Sequence, residues 1–474
     1  MNKHNSVGLV GLIAIVFGSM IGSGIFSIPQ NMAEQASVGA VALSWLITGI
    51  GMLFLVQTFK VLATHKSDLN SGIFSYAKAG FGEYIGFHSA WGYWLMSCMG
   101  NVALAVMIND SLGLFFPVLL NHGIETVILC SSLLWGMNNI ALRGTGSSSA
   151  LNIVSTVGKL LGLILIVGIV IYSFEPKQLT VDVWGEEAAL GSLFKQIQST
   201  MMVTLWCFVG IEGAVVLSGR AKKKSDVGKA TLIGFLVAIL MYSLISVLAF
   251  GILPQSELSQ LSNPSAASLL EHAIGPNGRL LVNVCVLISV LGALVAWTML
   301  VAEVPYEAAK VGEFPAFLSK TNRNDAPSSA LHVSTTFMQI CVLVVVAFEN
   351  VYLAAINIAS VMVLPCYLLS CLYLVKLSLK PSELGLDRFK PSYLLIATVA
   401  SLYCLWLITA AGLEYLLMAT ILYSIGIPFF KYTHKQKIAA GEQVYTTADK
   451  WLEWGLFLAA IVSIYLMSTG YLHA

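Results

Sequence analysis

Close to its start the chain reads Gly18-Ser-Met-Ile-Gly-Ser-Gly-Ile-Phe26, a stretch that lies inside an apolar segment. With its apolar flanks the segment is long enough to cross a bilayer, which takes about 20 residues. Three glycines and two serines in its middle disfavour an unbroken helix. We therefore expect an interruption inside the membrane, where only protein or a water-filled cavity can satisfy the freed backbone groups.

Two interpretations of this stretch are open from its own residues. Half-helix ends near the middle of a membrane offer N–H groups to a carboxylate and carbonyl groups to an amine or a cation. Small residues spaced four apart are also common where two membrane helices pack closely. The rest of the chain favours the first interpretation.

The composition indicates a membrane protein. Of 474 residues, 57% are hydrophobic and 10% are charged, whereas soluble domains carry about 25% charged residues. The formal net charge is +1, and no basic cluster resembles a nucleic-acid-binding module. The eight cysteines lie in apolar runs without metal-ligand spacing, so we interpret them as buried apolar residues and expect neither a metal nor another cofactor.

Apolar runs separated by polar breaks predict an all-α membrane protein with twelve spans and a thirteenth near the C-terminus. Placing the N-terminus inside leaves only Lys177, Lys195 and Arg279 outside, and Lys159 within a helix, so that the remaining Lys and Arg residues lie inside. Whether the thirteenth segment crosses the membrane stays open. The expected spans are 9–30, 39–62, 86–117, 124–141, 150–173, 194–218, 230–253, 280–306, 331–348, 352–377, 393–411, 414–431 and 452–470.

A second interrupted segment occurs in the sixth span, which reads Thr204-Leu-Trp-Cys-Phe-Val-Gly-Ile-Glu-Gly213. Because it lies five helices after the first, the second unit would be inserted upside down. Paired broken helices in matching positions of two inverted units indicate the binding site of a secondary transporter. We expect residues 1–175 to form the first unit of five helices, residues 190–378 the second, and residues 390–474 the C-terminal helices.

Among the ionisable residues inside predicted spans, two stand out by their position. Glu212 is a functional candidate because a charge in the membrane is costly; the alternative is a structural carboxyl bonded to neighbouring backbone. Its expected role is proton-sensitive gating, or holding the broken helix in one state. Lys159 either extends to the inner interface or bonds the unwound first helix in the place of a coupling cation.

Two tryptophans and an amide lie near the middle of their spans. An indole face attracts a guanidinium or ammonium group, so Trp206 and Trp297 are candidates for substrate binding, with packing as the alternative. Asn101 either bonds across helices or contacts a polar substrate. The sequence contains no phosphate loop, no Ser/His/Asp arrangement and no His/Cys metal spacing, so we do not expect an enzyme.

These motifs resemble the amino acid–polyamine–organocation superfamily, and within it the bacterial basic amino acid/polyamine antiporters. The resemblance covers the first ten spans and becomes weaker beyond them. Arginine/ornithine-type exchangers are the most similar branch, on the evidence of residues Gly210 to Val216 and Ser218 to Lys222, and a thirteenth span suits that branch. The other motifs are Gly18 to Pro29, Trp94 to Asn101, Thr204 to Ala214, Gly292 to Thr298 and Gly312 to Pro315.

The resemblance implies two inverted five-helix repeats, in which the first and sixth helices unwind around a central site. It implies that the substrate carboxylate meets Ser23 and the backbone N–H of Gly24. The α-amino group would meet the carbonyl groups of Met20, Trp206 and Val209.

Further binding residues follow from the same resemblance. The side-chain cation would lie against Trp297, near Asn101 and the carbonyl groups of Met96 and Ser97. Gly22 belongs to the same unwound stretch as Ser23. Ser360 in the tenth span would border the volume that sets the length of the substrate.

Gating roles are implied in the same way. Trp206 would cap the bound substrate, Glu212 would act on this gate as the proton-sensitive carboxyl, and Tyr93 would form part of the outer gate. Lys159 departs from the arginine/agmatine pattern and resembles proton-dependent or sodium-independent relatives.

The sequence thus predicts a sodium-independent exchanger of a basic amino acid and its product in a bacterial inner membrane, with the N-terminus in the cytoplasm. Its expected partners are small amino acids or amines and the lipid bilayer, without nucleic acid, and the resemblance includes homodimers. A proton-coupled amino acid symporter is the alternative within transport, and a channel or membrane sensor is the alternative outside it. The identity of the basic amino acid is left open.

Overall fold

A computed structural model describes residues 8–66, 68–69, 73–143, 146–212, 223–347, 350–442 and 444–469. The regular elements in these ranges are all helices, which confirms the predicted all-α class. Helices satisfy every backbone group within one segment, as the interior of a bilayer requires. Within the described ranges, nine helices are long and apolar enough to cross a membrane by themselves, and two further segments are interrupted.

The first half of the chain contains the first interrupted segment and four long helices after it, of which Val38–His65 and Glu83–Leu112 are among these nine. The predicted span 9–30 is split in two, because the run of glycines and serines ends the helix. The predicted span 86–117 ends earlier, at Leu112, where Gly113 and then Pro117 follow. The helices are α1 (Leu9–Met20), α2 (Gly24–Ala33), α3 (Val38–His65), α4 (Phe74–Phe81), α5 (Glu83–Leu112), α6 (Ile124–Leu142), α7 (Gly146–Tyr172) and the short α8 (Pro176–Leu179).

The second half begins with the other interrupted segment. Helix α9 ends at Trp206, and the motif residues from Gly213 to Lys222 lie outside the described ranges. The helices of this half are α9 (Leu193–Trp206), α10 (Lys224–Ala249), the short α11 (Gln255–Leu258), α12 (Ser265–Ile274), α13 (Pro276–Lys310), α14 (Ser328–Val345) and α15 (Val351–Ser378). The C-terminal helices are α16 (Pro391–Ala410), α17 (Leu413–Thr433), the short α18 (Lys435–Ala439) and α19 (Thr447–Ser468).

Both halves contain the same turn between a short helix and a long one. Helix α4 ends at Gly82, with φ +96°, and α5 follows at once; α12 ends at Gly275, with φ +80°, and α13 follows in the same way. Glycine takes this backbone conformation without strain. Each of these turns precedes the third crossing segment of its half, so the halves share one order of elements, as two repeats would.

The packing also matches between the halves. Helix α5 is buried along nearly all of its length and packs against α13 and α15. Helix α13, its counterpart in the second half, packs against α5 and α7. At the periphery, α19 is mostly exposed and presents large apolar side chains, which suits contact with lipid. Its 22 residues are enough for a crossing.

Candidate functional site

The first interruption lies between α1 and α2. Ile21 is extended, with φ −81° and ψ 91°, and α2 starts at Gly24. The first N–H groups of a helix have no partner within it, and the helix dipole adds partial positive charge at this end. The start of α2 therefore suits a negatively charged group.

The second interruption touches the first. Gly210 has φ +102°, and a Cβ atom there would lie 2.8 Å from the carbonyl oxygen of Ser19. The Ser19 hydroxyl donates to the Gly210 carbonyl at 2.9 Å. Only glycine fits this conformation and this approach without strain. The two broken segments therefore meet backbone to backbone.

A narrow cavity lies at this meeting point. Its lining includes every predicted substrate-binding residue except Ser97, Asn101 and Ser360. Helices α5 and α13 provide its other walls. The lining residues are Ser19, Met20, Gly22, Ser23, Gly24, Met96, Gly100, Leu104, Trp206, Val209 and Trp297.

The three predicted residues outside the lining bond to backbone instead. The Ser97 hydroxyl donates to the Tyr93 carbonyl at 2.9 Å, and the Asn101 Nδ2 donates to the Ser97 carbonyl at 2.9 Å. The Ser360 hydroxyl donates to the Met202 carbonyl at 3.3 Å. The Asn101 Oδ1 is buried and has no hydrogen-bond partner in the described structure, so it is the part of this amide that a ligand can still engage.

The Trp206 ring lies between two glycines on different helices. A Cβ atom at Gly24 would lie 3.2 Å from Trp206 Cδ1, and one at Gly100 would lie 3.2 Å from Trp206 Cη2. The absence of side chains at both positions makes room for the indole. Sequence reasoning did not single out Gly100 as a site residue, although it belongs to the motif that ends at Asn101, and it also missed Ser19 and Leu104.

The three carbonyl groups expected to receive an α-amino group differ in their present partners. Met20 O accepts from the Tyr242 hydroxyl at 2.9 Å and from the Gly22 N–H at 3.0 Å. Trp206 O accepts from the Val209 N–H at 3.2 Å. Among the described residues, no donor reaches Val209 O, which leaves it the freest of the three acceptors.

Glu212 is fully buried and is held by two tyrosines from other helices. The Tyr93 hydroxyl of α5 donates to Oε1 at 2.6 Å, and the Tyr367 hydroxyl of α15 donates to Oε2 at 2.8 Å. Sequence reasoning missed Tyr367, which is separated from Glu212 by 155 residues. The carboxyl group therefore links the second interruption to α5 and α15, beside the cavity but not in its lining.

The level of Tyr93 along α5 bears on its expected role as part of a gate. Helix α5 runs in the same direction as the first crossing segment, because two crossings separate their starts. Tyr93 precedes the lining residues Met96 and Gly100 on α5, so it lies on the side of the cavity from which the chain starts. With the predicted cytoplasmic N-terminus, Tyr93 would therefore lie on the inner side of the cavity, so this orientation and the predicted outer gate at Tyr93 disagree, and both stay predictions.

Lys159 contacts the end of the first half-helix. Its side chain is 4% exposed, and its ammonium group donates to the Gly18 carbonyl at 3.0 Å. It therefore does not extend to the membrane surface. Carbonyl groups at the C-terminal end of a helix carry partial negative charge, so a cation is favourable beside the end of α1.

Two ion pairs join elements near the ends of the helices. The buried Glu313 pairs with Lys78, and burial raises the pKa of the Glu313 carboxyl group. His122 lies 2.8 Å from the Asp110 carboxylate, which raises the pKa of the His122 imidazole. Each pair ties a connecting segment to a neighbouring helix.

Comparison with known proteins identifies the family. The sequence profile of amino acid permeases matches residues 7–413. The chain belongs to the amino acid permease family. The matched range contains both interruptions and the whole cavity lining, so the family assignment covers the site of this amino acid permease.

Several curated relatives match this permease over nearly its whole length. An arginine/ornithine antiporter of Pseudomonas aeruginosa is 42% identical over 474 residues, which cover 98% of each chain. An arginine/agmatine antiporter of Chlamydia abortus is 44% identical over 435 residues, 90% of this chain and 89% of that protein. An arginine/agmatine antiporter of Chlamydia trachomatis is 43% identical over 476 residues, 98% of each chain. The family expected from the motifs is thus confirmed.

Proposed function

We propose that this permease exchanges an arginine-like basic amino acid for its product, ornithine or an amine, by alternating access. The observation that carries the proposal is the meeting of two interrupted helices at one cavity that Trp206 and Trp297 also line. Interrupted helices near the middle of the membrane supply backbone groups for both ends of a zwitterion. The names of the curated relatives support exchange over proton-coupled symport.

The substrate carboxylate binds at the start of α2. Gly24 offers its N–H group there, and the helix dipole favours the negative charge. The Ser23 hydroxyl accepts from the Tyr352 hydroxyl at 2.9 Å, so its own hydrogen remains available to donate to a carboxylate. Val209 O and Met20 O receive the α-ammonium group from the opposite side.

The cationic side chain of the substrate lies in the part of the cavity that contains Trp297 and Met96. Trp297 is 8% exposed, so a cation against its ring is largely withdrawn from water, which strengthens a cation–π contact. Asn101 Oδ1 and the carbonyl groups of Met96 and Ser97 complete this end. Ser360 lies beyond it and limits the length of the substrate. Trp206 covers the bound molecule.

Opening and closing involve Glu212 and Lys159. The Glu212 carboxylate holds Tyr93 and Tyr367 on the inner side of the cavity, and its protonation weakens this contact because one oxygen ceases to accept. Lys159 stands at the end of α1 as a fixed cation, which makes transport independent of sodium. An unoccupied cavity leaves polar groups unpaired, which disfavours the crossing of the empty carrier.

The same proposal places the protein in a bacterial inner membrane with its N-terminus in the cytoplasm, supported by the excess of Lys and Arg on one side. Residues 1–175 and 190–378 form the two repeats around the site, and residues 390–474 add peripheral helices. Two copies of the protein pair through these peripheral helices. Binding and movement account for the activity, with no enzymatic step.

Counterflow in liposomes tests the exchange. Purified protein should take up labelled arginine rapidly into vesicles loaded with ornithine or agmatine and at least tenfold more slowly into empty vesicles. An imposed pH gradient alone should not drive uptake. Equal rates into loaded and empty vesicles would refute obligatory exchange, uptake driven by the pH gradient would favour symport, and single-channel current would indicate a channel.

A further inference from the structure

Helix α9 is attached to α3 by a ladder of polar side chains. The residues on α9 are four apart, so they lie along one face of the helix. Each of them bonds a residue at the start of α3 or within it. The three pairs are Ser37–Gln196 at 3.0 Å, Ser44–Thr200 at 2.8 Å and Thr48–Thr204 at 2.8 Å.

The last pair of this ladder is next to the second interruption. The Thr48 hydroxyl donates to Thr204 Oγ1, and the Thr204 hydroxyl donates to the Met201 carbonyl at 3.0 Å. Both threonines are fully buried. If this bond were broken, water could not replace the lost partner, and leaving a buried hydroxyl unpaired costs free energy. Trp206 follows Thr204 by two residues and ends the helix.

The Trp206 ring has little freedom where it lies. Gly24 and Gly100 approach it from two other helices, and a single added Cβ atom on either would come within 3.2 Å of the ring. A small rotation or slip of the last turn of α9 would therefore move the indole against one of these neighbours. The position of that turn relative to α3 decides where the ring lies.

We propose that Thr48 and Thr204 are positioning residues for Trp206. Their hydrogen bond fixes the last turn of α9 on α3, so that the indole is held in its place at the cavity. Neither threonine lines the cavity, so both act on the substrate only through the tryptophan. The proposal rests on the proposed function, in which Trp206 covers the bound substrate.

A double-mutant cycle tests this dependence. Binding of labelled arginine to purified protein is measured for wild type, Thr48→Val, Trp206→Phe and the double variant. Thr48→Val should lower affinity about threefold, the effect of one typical interhelical hydrogen bond in a membrane protein. In the Trp206→Phe background the same change should have no further effect, because the group through which Thr48 acts is gone. An equal loss in both backgrounds would overturn the proposal.

Two variants serve as controls. Thr58 is a buried threonine on the same helix, and its hydroxyl donates to the Phe54 carbonyl of α3 itself, so Thr58→Val should leave affinity unchanged. Thr48→Ser keeps the hydroxyl and should restore wild-type binding. If Thr48→Val does not fold, Thr204→Val removes the same bond from the other side and replaces it in the cycle.

A spectroscopic measurement separates this proposal from the substrate assignment. In protein labelled with 5-fluorotryptophan, the Trp206 resonance is identified by its loss in Trp206→Phe. Thr48→Val should shift or broaden this resonance without substrate, and Thr58→Val should not. An unchanged resonance would refute the positioning role. A shifted resonance in a protein that binds neither arginine nor ornithine would refute the substrate assignment and support the positioning role.

Discussion

The Ser19 hydroxyl of the first broken helix donates to the Gly210 carbonyl of the second at 2.9 Å. The same hydroxyl is 2.9 Å from the Val16 carbonyl of its own helix. The hydroxyl has a single hydrogen atom, which forms a strong hydrogen bond with one acceptor at a time. Ser19 can therefore bond within its own helix or across to the other interruption. The contact therefore joins the two interruptions at a point where a small rotation exchanges one partner for the other.

Replacement of Gly210 tests how closely the two breaks must approach. Gly210→Ala forces a left-handed residue to carry a side chain, which costs about 1–2 kcal/mol, and it places a Cβ atom 2.8 Å from Ser19 O. We expect exchange to fall at least tenfold and the thermal midpoint to drop. Counterflow and thermal unfolding of the purified protein measure the two effects.

Gly168 provides the control for this substitution. A Cβ atom there would meet no atom within 4 Å, and the residue lies inside α7. Gly168→Ala should leave exchange unchanged and stabilise the protein by up to about 1 kcal/mol, since alanine favours a helix. Wild-type exchange by Gly210→Ala would show that the approach of the two breaks is not required.

Trp297 is expected to distinguish charged from neutral substrates. In Trp297→Ala the affinity for arginine should fall about tenfold, within the range of a desolvated cation–π contact. The affinity for citrulline, a neutral molecule of nearly the same shape, should change much less. Competition binding with both ligands measures this difference, and Trp451→Ala, which removes a 74% exposed indole, is the control. Equal losses for both ligands would indicate packing in place of a cation–π contact.

The two interruptions were predictable because their causes are local. The glycines around Met20 and at Gly210 disfavour a helix wherever they occur in a chain, and apolar length marks the spans. The interruption of the first span could therefore be predicted from the residues of that span alone, without knowing which helices pack against it. The resemblance added which side chains meet the substrate, and most of those residues line one cavity.

Contacts between distant helices were not predictable in the same way. Tyr367 reaches Glu212 from a helix that is buried on most sides, so no polar or apolar face indicates which residues point to the site. The same holds for Gly100 on α5, which is buried along nearly all of its length. Whether Tyr93 lies at an outer gate also depends on its level along α5, which follows from how that helix is packed and which spacing does not give.

Glu212 is expected to determine the pH dependence of exchange. In Glu212→Gln the side chain keeps its shape, but only one of its two polar atoms can accept from Tyr93 or Tyr367. This variant resembles the protonated carboxyl at every pH, so the exchange rate should lose most of its pH dependence. Rates are measured in vesicles with equal pH on both sides, at several pH values.

A carboxyl at the edge of the membrane provides the comparison for Glu212. Glu414 is exposed and lies in the first turn of α17, so Glu414→Gln should keep the wild-type pH profile. Tyr93→Phe removes one donor and should change the profile in the same direction as Glu212→Gln. If Glu212→Gln retained the full pH response, another group would have to carry it.

His122 should make the thermal stability of the protein depend on pH. The Asp110 carboxylate raises the pKa of His122 above its ordinary value of 6.5. The imidazolium is therefore favoured in the folded state, and its contribution to stability is fully present below about pH 6.5. It is lost as the pH rises through the higher pKa of the folded protein. The thermal midpoint of the wild type should accordingly fall as the pH is raised above about 6.5.

His122→Asn is the substitution that isolates this effect. His122 has φ +49°, a conformation that asparagine tolerates better than most residues, and the asparagine amide can still donate to Asp110 without titrating. The thermal midpoint of this variant should decline less than that of the wild type over the same pH range. His332→Asn, which replaces an exposed histidine on α14, should keep the wild-type slope. A slope unchanged in His122→Asn would mean that the pair with Asp110 does not contribute to the pH dependence of stability.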